Sequence, residues 1–175
     1  MKMEQLFLES AISRFLTYKT LAEKTFAQLD EEQMNWQPAG NPNSIHVIVK
    51  HMSGNMCSRF TDFLTSDGEK PGRDRDAEFS AGTASKEEIL AMWEKGWNCM
   101  FTALRDLQAD DLVKTVYIRN EPHSVIDAIN RQLGHYPYHV GQIVYLGKLM
   151  KQDNWQSLSI PVGQSQQYNK EKFGK

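Results

Sequence analysis

His135-Tyr136-Pro137-Tyr138-His139-Val140-Gly141-Gln142 lies in the middle of an apolar period that runs from Val125 to about Lys151. Ile129, Leu133, Val140, Ile143, Val144, Gly147 and Met150 recur at three- and four-residue steps, which predicts one long helix with Ser124 placed to cap it. Within that helix His135 and His139 are four residues apart. Such positions differ by only about 40° around the axis and sit one turn apart, so one divalent ion could bridge the two rings. The chain has 5 His, enough for one such pair to arise by accident, and the spacing alone carries no conclusion. It is also not the H-E-x-x-H motif of a zinc protease, because Tyr136 stands where that motif needs its general base. Pro137 removes a backbone hydrogen bond and predicts a kink, which either aims the two rings at one point or spoils their alignment.

Three further segments carry a helical period. From Glu4 to Leu29 the stripe is Leu8, Ile12, Phe15, Ala22, Phe26 and Leu29. This helix is expected to end at Asp30, before a loop through residues 35–43 that holds Pro38, Gly40 and Pro42. Ser44 reads as the cap of a second helix from Ile45 to about Leu64, with Val49, Met52, Met56, Phe60 and Phe63 inward. Ser85 and Glu88 match a capping box and start a third helix, on which Ile89, Trp93, Gly96, Trp97, Met100, Leu104 and Leu107 form a heavy apolar face. Between the second and third helices, residues 68–83 include Lys70-Pro71-Gly72-Arg73-Asp74-Arg75-Asp76 and are expected to form a polar surface crossover. Val113 to Ile118 alternates and predicts a short extended strap without an evident partner strand.

Four helices of this length predict an all-α fold, a four-helix bundle with a long crossover connection, in a single domain over residues 1–175. The tail from about 152 to 175 holds Trp155, Leu158 and Ile160 and is expected to pack on the bundle or on a second subunit. Formal charge is -2 from 20 basic and 22 acidic residues, which gives no field to draw the protein to nucleic acid or an anionic membrane. Cys57 and Cys99 form no C-x-x-C pair and read as reduced, small core residues. Met1 to Gln5 lacks a basic region followed by an apolar run, and no stretch approaches the roughly 18 apolar residues of a membrane span. A soluble, cytoplasmic protein is expected.

A metal site needs at least a third protein ligand, and three imidazoles with an open position suit catalytic zinc and related ions. His46, His51 and His123 are the candidates. His46 falls in the first turn of the second helix and is expected to be partly exposed; His123 precedes a helix cap and is expected to lie at the surface. His51 lies mid-helix beside the apolar stripe, where a buried ring needs a partner. One histidine on a helix that faces another helix carrying His-x-x-x-His is the shape of a bundle-core metal site.

Ser44-Ile45-His46-Val47-Ile48-Val49-Lys50-His51-Met52, together with His135 to Gln142, resembles the DinB-like (damage-inducible, bacillithiol-transferase-like) metalloprotein superfamily. Ser53 to Phe63 and the tail from Trp155 to Gln164 are similar to an uncharacterised subgroup of it. The resemblance implies a four-helix bundle with a long crossover, usually homodimeric, in which His51, His135 and His139 hold a zinc or nickel-like ion. It also implies metal-dependent transfer of a low-molecular-weight thiol, of the bacillithiol type, to small electrophiles in detoxification or stress response. Helical spacing then brings Gln142, Asn55 and Arg131 toward the same pocket, the first two to bond a metal-bound ligand and the third to meet a substrate carboxylate. Two other readings compete: a metal that only braces a stress-related binding protein, and a metal-dependent hydrolase. The hydrolase is disfavoured because no carboxylate base lies within one helical turn of the paired histidines.

Overall fold

The computed structural model describes residues 3–40 and 43–174. Its elements in chain order are α1 (Met3–Phe26), α2 (Glu31–Asn35), α3 (Ile45–Phe60), α4 (Arg75–Glu78), α5 (Lys86–Asp106), β1 (Thr115–Ile118), β2 (Glu121–Ser124), α6 (Val125–Lys151) and α7 (Ser165–Phe173), with short 3-10 turns after α5 and α6. The three predicted serine caps are all formed. The hydroxyls of Ser44, Ser85 and Ser124 accept from the N–H groups of Val47, Glu88 and Asp127 at 3.2, 3.2 and 3.1 Å. Glu88 closes the capping box by accepting from the Ser85 N–H at 2.7 Å.

The four long helices bury the predicted stripes in one core. Trp97 is fully buried and meets Trp93 and Phe15 edge-on, at centroid distances of 5.4 and 6.3 Å. Contact residues give the helix directions. Along α1 and α6, Phe15 meets Tyr136 and Thr25 lies against Gly147, so the two run parallel. Along α3 and α5, Ser53 lies against Gly96 and Thr61 meets Cys99, again parallel. Across the pairs, Phe15 meets Trp97 whereas Phe26 meets Trp93, so α1 and α5 are antiparallel. His51 and Asn55 meet α6 in the reverse order, at His139 and Tyr136. The bundle is therefore up-down-down-up. Glycine permits both parallel contacts: a Cβ at Gly96 would stand 2.8 Å from the Ser53 Cα, and one at Gly147 would stand 2.5 Å from Thr25 Cγ2.

Parallel neighbours in sequence require a connection that returns the length of a helix, and 21 residues of α5 alone span about 30 Å. Residues 61–85 do this. The expectation that this crossover is merely a polar surface segment is corrected: it forms α4, and Glu78 at the end of α4 is buried. Asp67 holds the crossover to the hairpin, its carboxylate accepting from the backbone N–H groups of Glu69, Arg119 and Asn120 at 2.7, 2.9 and 2.8 Å. The strap of residues 113–118 does have a partner, since β1 pairs antiparallel with β2 in the register Ile118↔Glu121. Arg119 and Asn120 take the two positive φ values, 55° and 61°, that a two-residue turn of this hand demands.

Other features differ from expectation, beginning with the first helix, which stops at Phe26 rather than at Asp30. The second helix stops at Phe60 rather than Leu64, and its cap residue Thr61 returns to extended backbone. An additional helix, α2, follows Asp30, which forms a capping box with Gln33. The tail docks through its first residues only: Gln156 exchanges two hydrogen bonds with Gln28, while Ile160 and α7 are exposed. Asn41 and Pro42 of the predicted loop, Met1 and Lys2 of the N-terminal reading, and Lys175 lie outside the described residues. Among the described residues, no helix is long and apolar enough to cross a membrane.

Candidate metal centre

His51 on α3 and His135 and His139 on α6 converge at one point where these antiparallel helices cross. One ring nitrogen from each lies within 4.8 Å of the others. The Nε2 atoms of His139 and His135 are 3.0 Å apart, and those of His51 and His135 are 3.4 Å apart. Four-coordinate zinc with Zn–N of about 2.0–2.1 Å sets its ligand atoms about 3.3 Å from one another, so the spacing suits a divalent ion. α6 continues without a break through Pro137, and the rings it carries on either side point at one place. Of the two outcomes expected for this proline, convergence is the one observed.

Every Nδ1 of the three rings is already committed. Glu78 Oε2 accepts from His51 Nδ1 at 2.9 Å, Gln142 Oε1 from His139 Nδ1 at 2.9 Å, and Gln132 Oε1 from His135 Nδ1 at 3.3 Å. An imidazole that donates from Nδ1 presents a lone pair at Nε2. Three lone pairs facing one another repel, and a cation between them removes the repulsion. The donor set thus fits a metal on its own chemistry. His51 and His139 are buried and His135 half-buried. Burial first, then the neighbouring rings, pushes the His135 imidazole down to about 3. Burial also lowers His139, against the hydrogen bond to Gln142. Both rings are therefore neutral, ligand-ready bases at pH 7.

Glu78 is the carboxylate that reaches the cluster, through His51. Burial works to raise its carboxyl, but the hydrogen bonds from His51 and Arg73 outweigh that and hold it below the usual range. Arg73 grips it in bidentate fashion, Nε to Oε1 at 2.7 Å and Nη2 to Oε2 at 2.8 Å. Phe79 lies against the His51 ring at 4.6 Å. Gly54 makes room for the carboxylate, since a Cβ there would stand 2.8 Å from Glu78 Cδ and closer still to Oε1.

The other predicted residues fall as follows. Gln142 touches His139 as described. Asn55 is buried and accepts from the Tyr136 hydroxyl at 3.0 Å. Arg131 is exposed, and its neighbour Gln132 is the residue that reaches the site. Tyr136, in the place of the zincin glutamate, turns the opposite way and is fully buried against Phe15 and Trp97. The expectation that His46 is partly exposed is corrected: it is buried under the crossover with Nδ1 3.2 Å from the Gly82 carbonyl. His123 bonds Asp127 at 2.6 Å, away from the cluster. Sequence reasoning missed Glu78, Arg73 and Gln132. A signal for Gln132 was present, because it precedes His135 by three residues as Gln142 follows His139 by three, making Gln132-x-x-His135-x-x-x-His139-x-x-Gln142.

Comparison with curated proteins finds no match. Among solved structures, the chain is similar to one described as the crystal structure of the conserved protein of locus from Enterococcus faecalis. The TM-score is 0.59 at 16% identity, over 85% of this chain and 97% of that one, a likeness of fold. Residues 2–164 match the family model described as "Protein of unknown function (DUF1572)", and over that span the chain belongs to this family.

Proposed function

We propose that this protein is a DinB-like metalloprotein that binds one zinc or nickel-like ion through His51, His135 and His139. Its function in this reading is metal-dependent transfer of a low-molecular-weight thiol to small electrophiles, in detoxification or stress response. The observation that carries the proposal is the set of three Nε2 lone pairs aimed at one point, each fixed by an oxygen acceptor at Nδ1. Glu78 is paired with Arg73, and an imidazole binds a metal in its uncharged form, so a bound 2+ ion would keep its charge for an anionic fourth ligand. When bound, such an ion supplies a Lewis acid that stabilises a thiol in its nucleophilic thiolate form. Glu78 orients His51, Gln132 and Gln142 orient the paired rings, and Phe79 covers one side of His51 against water. Both Glu78 oxygens are engaged, so the carboxylate is not free to serve as the general base of a hydrolase.

A bracing role is the second reading, because the ligands join two antiparallel helices and a metal there clamps α3 to α6. A homodimer belongs to the proposal as well: Tyr138, Tyr145 and Leu149 are exposed along one face of α6 and supply apolar surface for a second copy. Protein purified without an affinity tag is expected to carry about one zinc or nickel ion per chain, lost in His51→Ala and in His135→Ala. No metal, or metal unchanged in both variants, sinks the site. With metal bound, a panel of low-molecular-weight thiols against a chlorinated dinitrobenzene is expected to give conjugation that a chelator abolishes and added metal restores. Metal without conjugation leaves the bracing role, and turnover of ester or amide substrates favours the hydrolase.

A further inference from the structure

Cys57 and Cys99, 42 positions apart in sequence, meet on the face of α3 that is turned toward α5. Gly96 lets the two backbones come nearly into contact at Ser53, and the cysteines follow that contact by three and four residues, one turn along each helix. Cys99 Sγ lies 4.0 Å from the carbonyl of Met56, the peptide group that leads into Cys57. Neither is buried completely, and both are free thiols. They are not equivalent. Cys99 lines a cleft of about 630 Å³ whose walls include Phe60, Phe63, Thr102 and Leu107. Thr61 places its hydroxyl 3.4 Å from Cys99 Sγ. Cys57 stands behind and does not line the cleft.

We propose that Cys57 and Cys99 form a hydroperoxide-reactive dithiol, with Cys99 the attacking sulfur and Cys57 the resolving one. The Cys57 S–H and the Thr61 O–H both donate to a thiolate at Cys99, which is the form that reacts. The hydrogen bond from Cys57 first, against burial, and then Thr61, Lys70 and Lys95 bring the Cys99 thiol down to about 6, while the same partnership pushes Cys57 up. In the first step the Cys99 thiolate attacks the terminal oxygen of the hydroperoxide. The S–O bond forms, the O–O bond breaks, and the alkoxide leaves with a proton as the alcohol, or as water from hydrogen peroxide. Sulfur loses two electrons to the peroxide and becomes the sulfenic acid. In the second step the Cys57 sulfur attacks Cys99, the S–S bond forms, and hydroxide leaves with the Cys57 proton as water. Two equivalents of a small thiol return the pair to two thiols: the first opens the S–S bond to a mixed disulfide, and the second displaces the cysteine and leaves with the first as their own disulfide.

The pair lies between α3 and α5, whereas the histidines lie between α3 and α6, so the reaction does not depend on the metal reading. The His135→Ala variant is expected to retain it. Full-length protein treated with hydrogen peroxide, or with tert-butyl hydroperoxide, is expected to lose about 2 Da and give a Cys57–Cys99 cross-linked peptide that dithiothreitol reverses. In Cys57→Ala, oxidation is expected to stop at Cys99 as a dimedone-trapped sulfenic acid. In Cys99→Ala, labelling of Cys57 is expected to fall at least about tenfold below that of Cys99. Limiting iodoacetamide on the wild-type protein, which needs no variant to fold, is expected to label Cys99 before Cys57. Equal labelling, labelling of Cys57 first, cross-links only between chains, or two thiols that survive a peroxide dose that oxidises free cysteine would each overturn the proposal.

Discussion

Gly54→Ala tests the proposed metal site without replacing any of the three histidines or any side chain that bonds one. The new methyl carbon would stand 2.8 Å from Glu78 Cδ, whereas carbon atoms pack at about 3.5–4.0 Å. The carboxylate must therefore retreat by about 1 Å. Its oxygen now sits 2.9 Å from His51 Nδ1, and a retreat of that size carries it past the roughly 3.2 Å limit of an N–H···O bond. Losing the partner that orients a ligating histidine lowers metal affinity about 10–100-fold, or about 1.4–2.7 kcal/mol. In the metal-free protein, one lost hydrogen bond to a charged group costs about 1.5–3 kcal/mol, and alanine returns about 0.5–1 kcal/mol of helix propensity. The net loss is about 1–2 kcal/mol. Chelator competition measures the affinity and calorimetry of the apoprotein the stability. The decisive control is the double variant with Glu78→Gln: if both changes act through the same carboxylate, adding Gly54→Ala to Glu78→Gln costs less than about 0.5 kcal/mol more in binding. Affinity within twofold of wild type, or full additivity, would refute the role given to Glu78.

Tyr136→Phe removes the hydroxyl that donates to buried Asn55 and is expected to cost about 1–3 kcal/mol of stability, read as a lower midpoint in urea, with metal content unchanged because the ring faces the core; a drop in metal content contradicts that orientation. Gly96→Ala forces a methyl against the Ser53 backbone and is expected to cost about 1–3 kcal/mol by overpacking the α3–α5 contact; an unchanged melting temperature shows that the helices are not that close. The metal-free protein is expected to lose stability on acidification. His135 titrates near its ordinary value of about 6.5 when unfolded and at about 3 when folded, so between these values the unfolded chain binds more protons. Its contribution is complete above the higher value and falls by up to about 1.4 kcal/mol per pH unit below it. His135→Gln should flatten that slope between pH 6 and 4, and an unchanged slope assigns the acid sensitivity elsewhere.

The helices were legible because each writes its own burial. Trp93, Trp97, Met100 and Leu104 recur at helical spacing, and Ser85 with Glu88 marks the start. The three converging histidines were legible for a related reason: His135 and His139 share a face by spacing, and His51 borders an apolar stripe. Glu78 and Arg73 were hidden because they lie in the charged stretch Arg73-Asp74-Arg75-Asp76-Ala77-Glu78, and a stretch of that kind is usually solvated. What buries Glu78 is a partner 27 residues away in the chain, and no local period records such a contact. Gly54 was the available trace. A glycine in the middle of a helix costs about 0.5–1 kcal/mol against alanine, so its place three residues after His51 asks for something that fills the missing Cβ. β2 was missed for a different reason. Pro122 and His123 carry little strand propensity, and the turn Arg119-Asn120 is held by Asp67 from the crossover rather than by a glycine of its own.

These misses have one topological cause. With α3 and α5 parallel, the chain cannot join them by a short turn, and the 25 residues from 61 to 85 must run back along the bundle. The crossover passes the histidines on its way. It lays Glu78 on His51 and Phe79 on the same ring, and it covers His46 with the Gly82 carbonyl. Arg73, five residues before Glu78, then fixes the carboxylate from within the same segment. The long connection is thus the part of the fold that supplies the site with its anion. A bundle of simple up-down order would carry the same three histidines on short-linked helices and would have no segment in place to orient His51. Replacing residues 73–79 by a flexible segment of the same length should therefore leave the helices formed and the three histidines in place, and weaken metal binding, measured by chelator competition, to the level of Glu78→Gln.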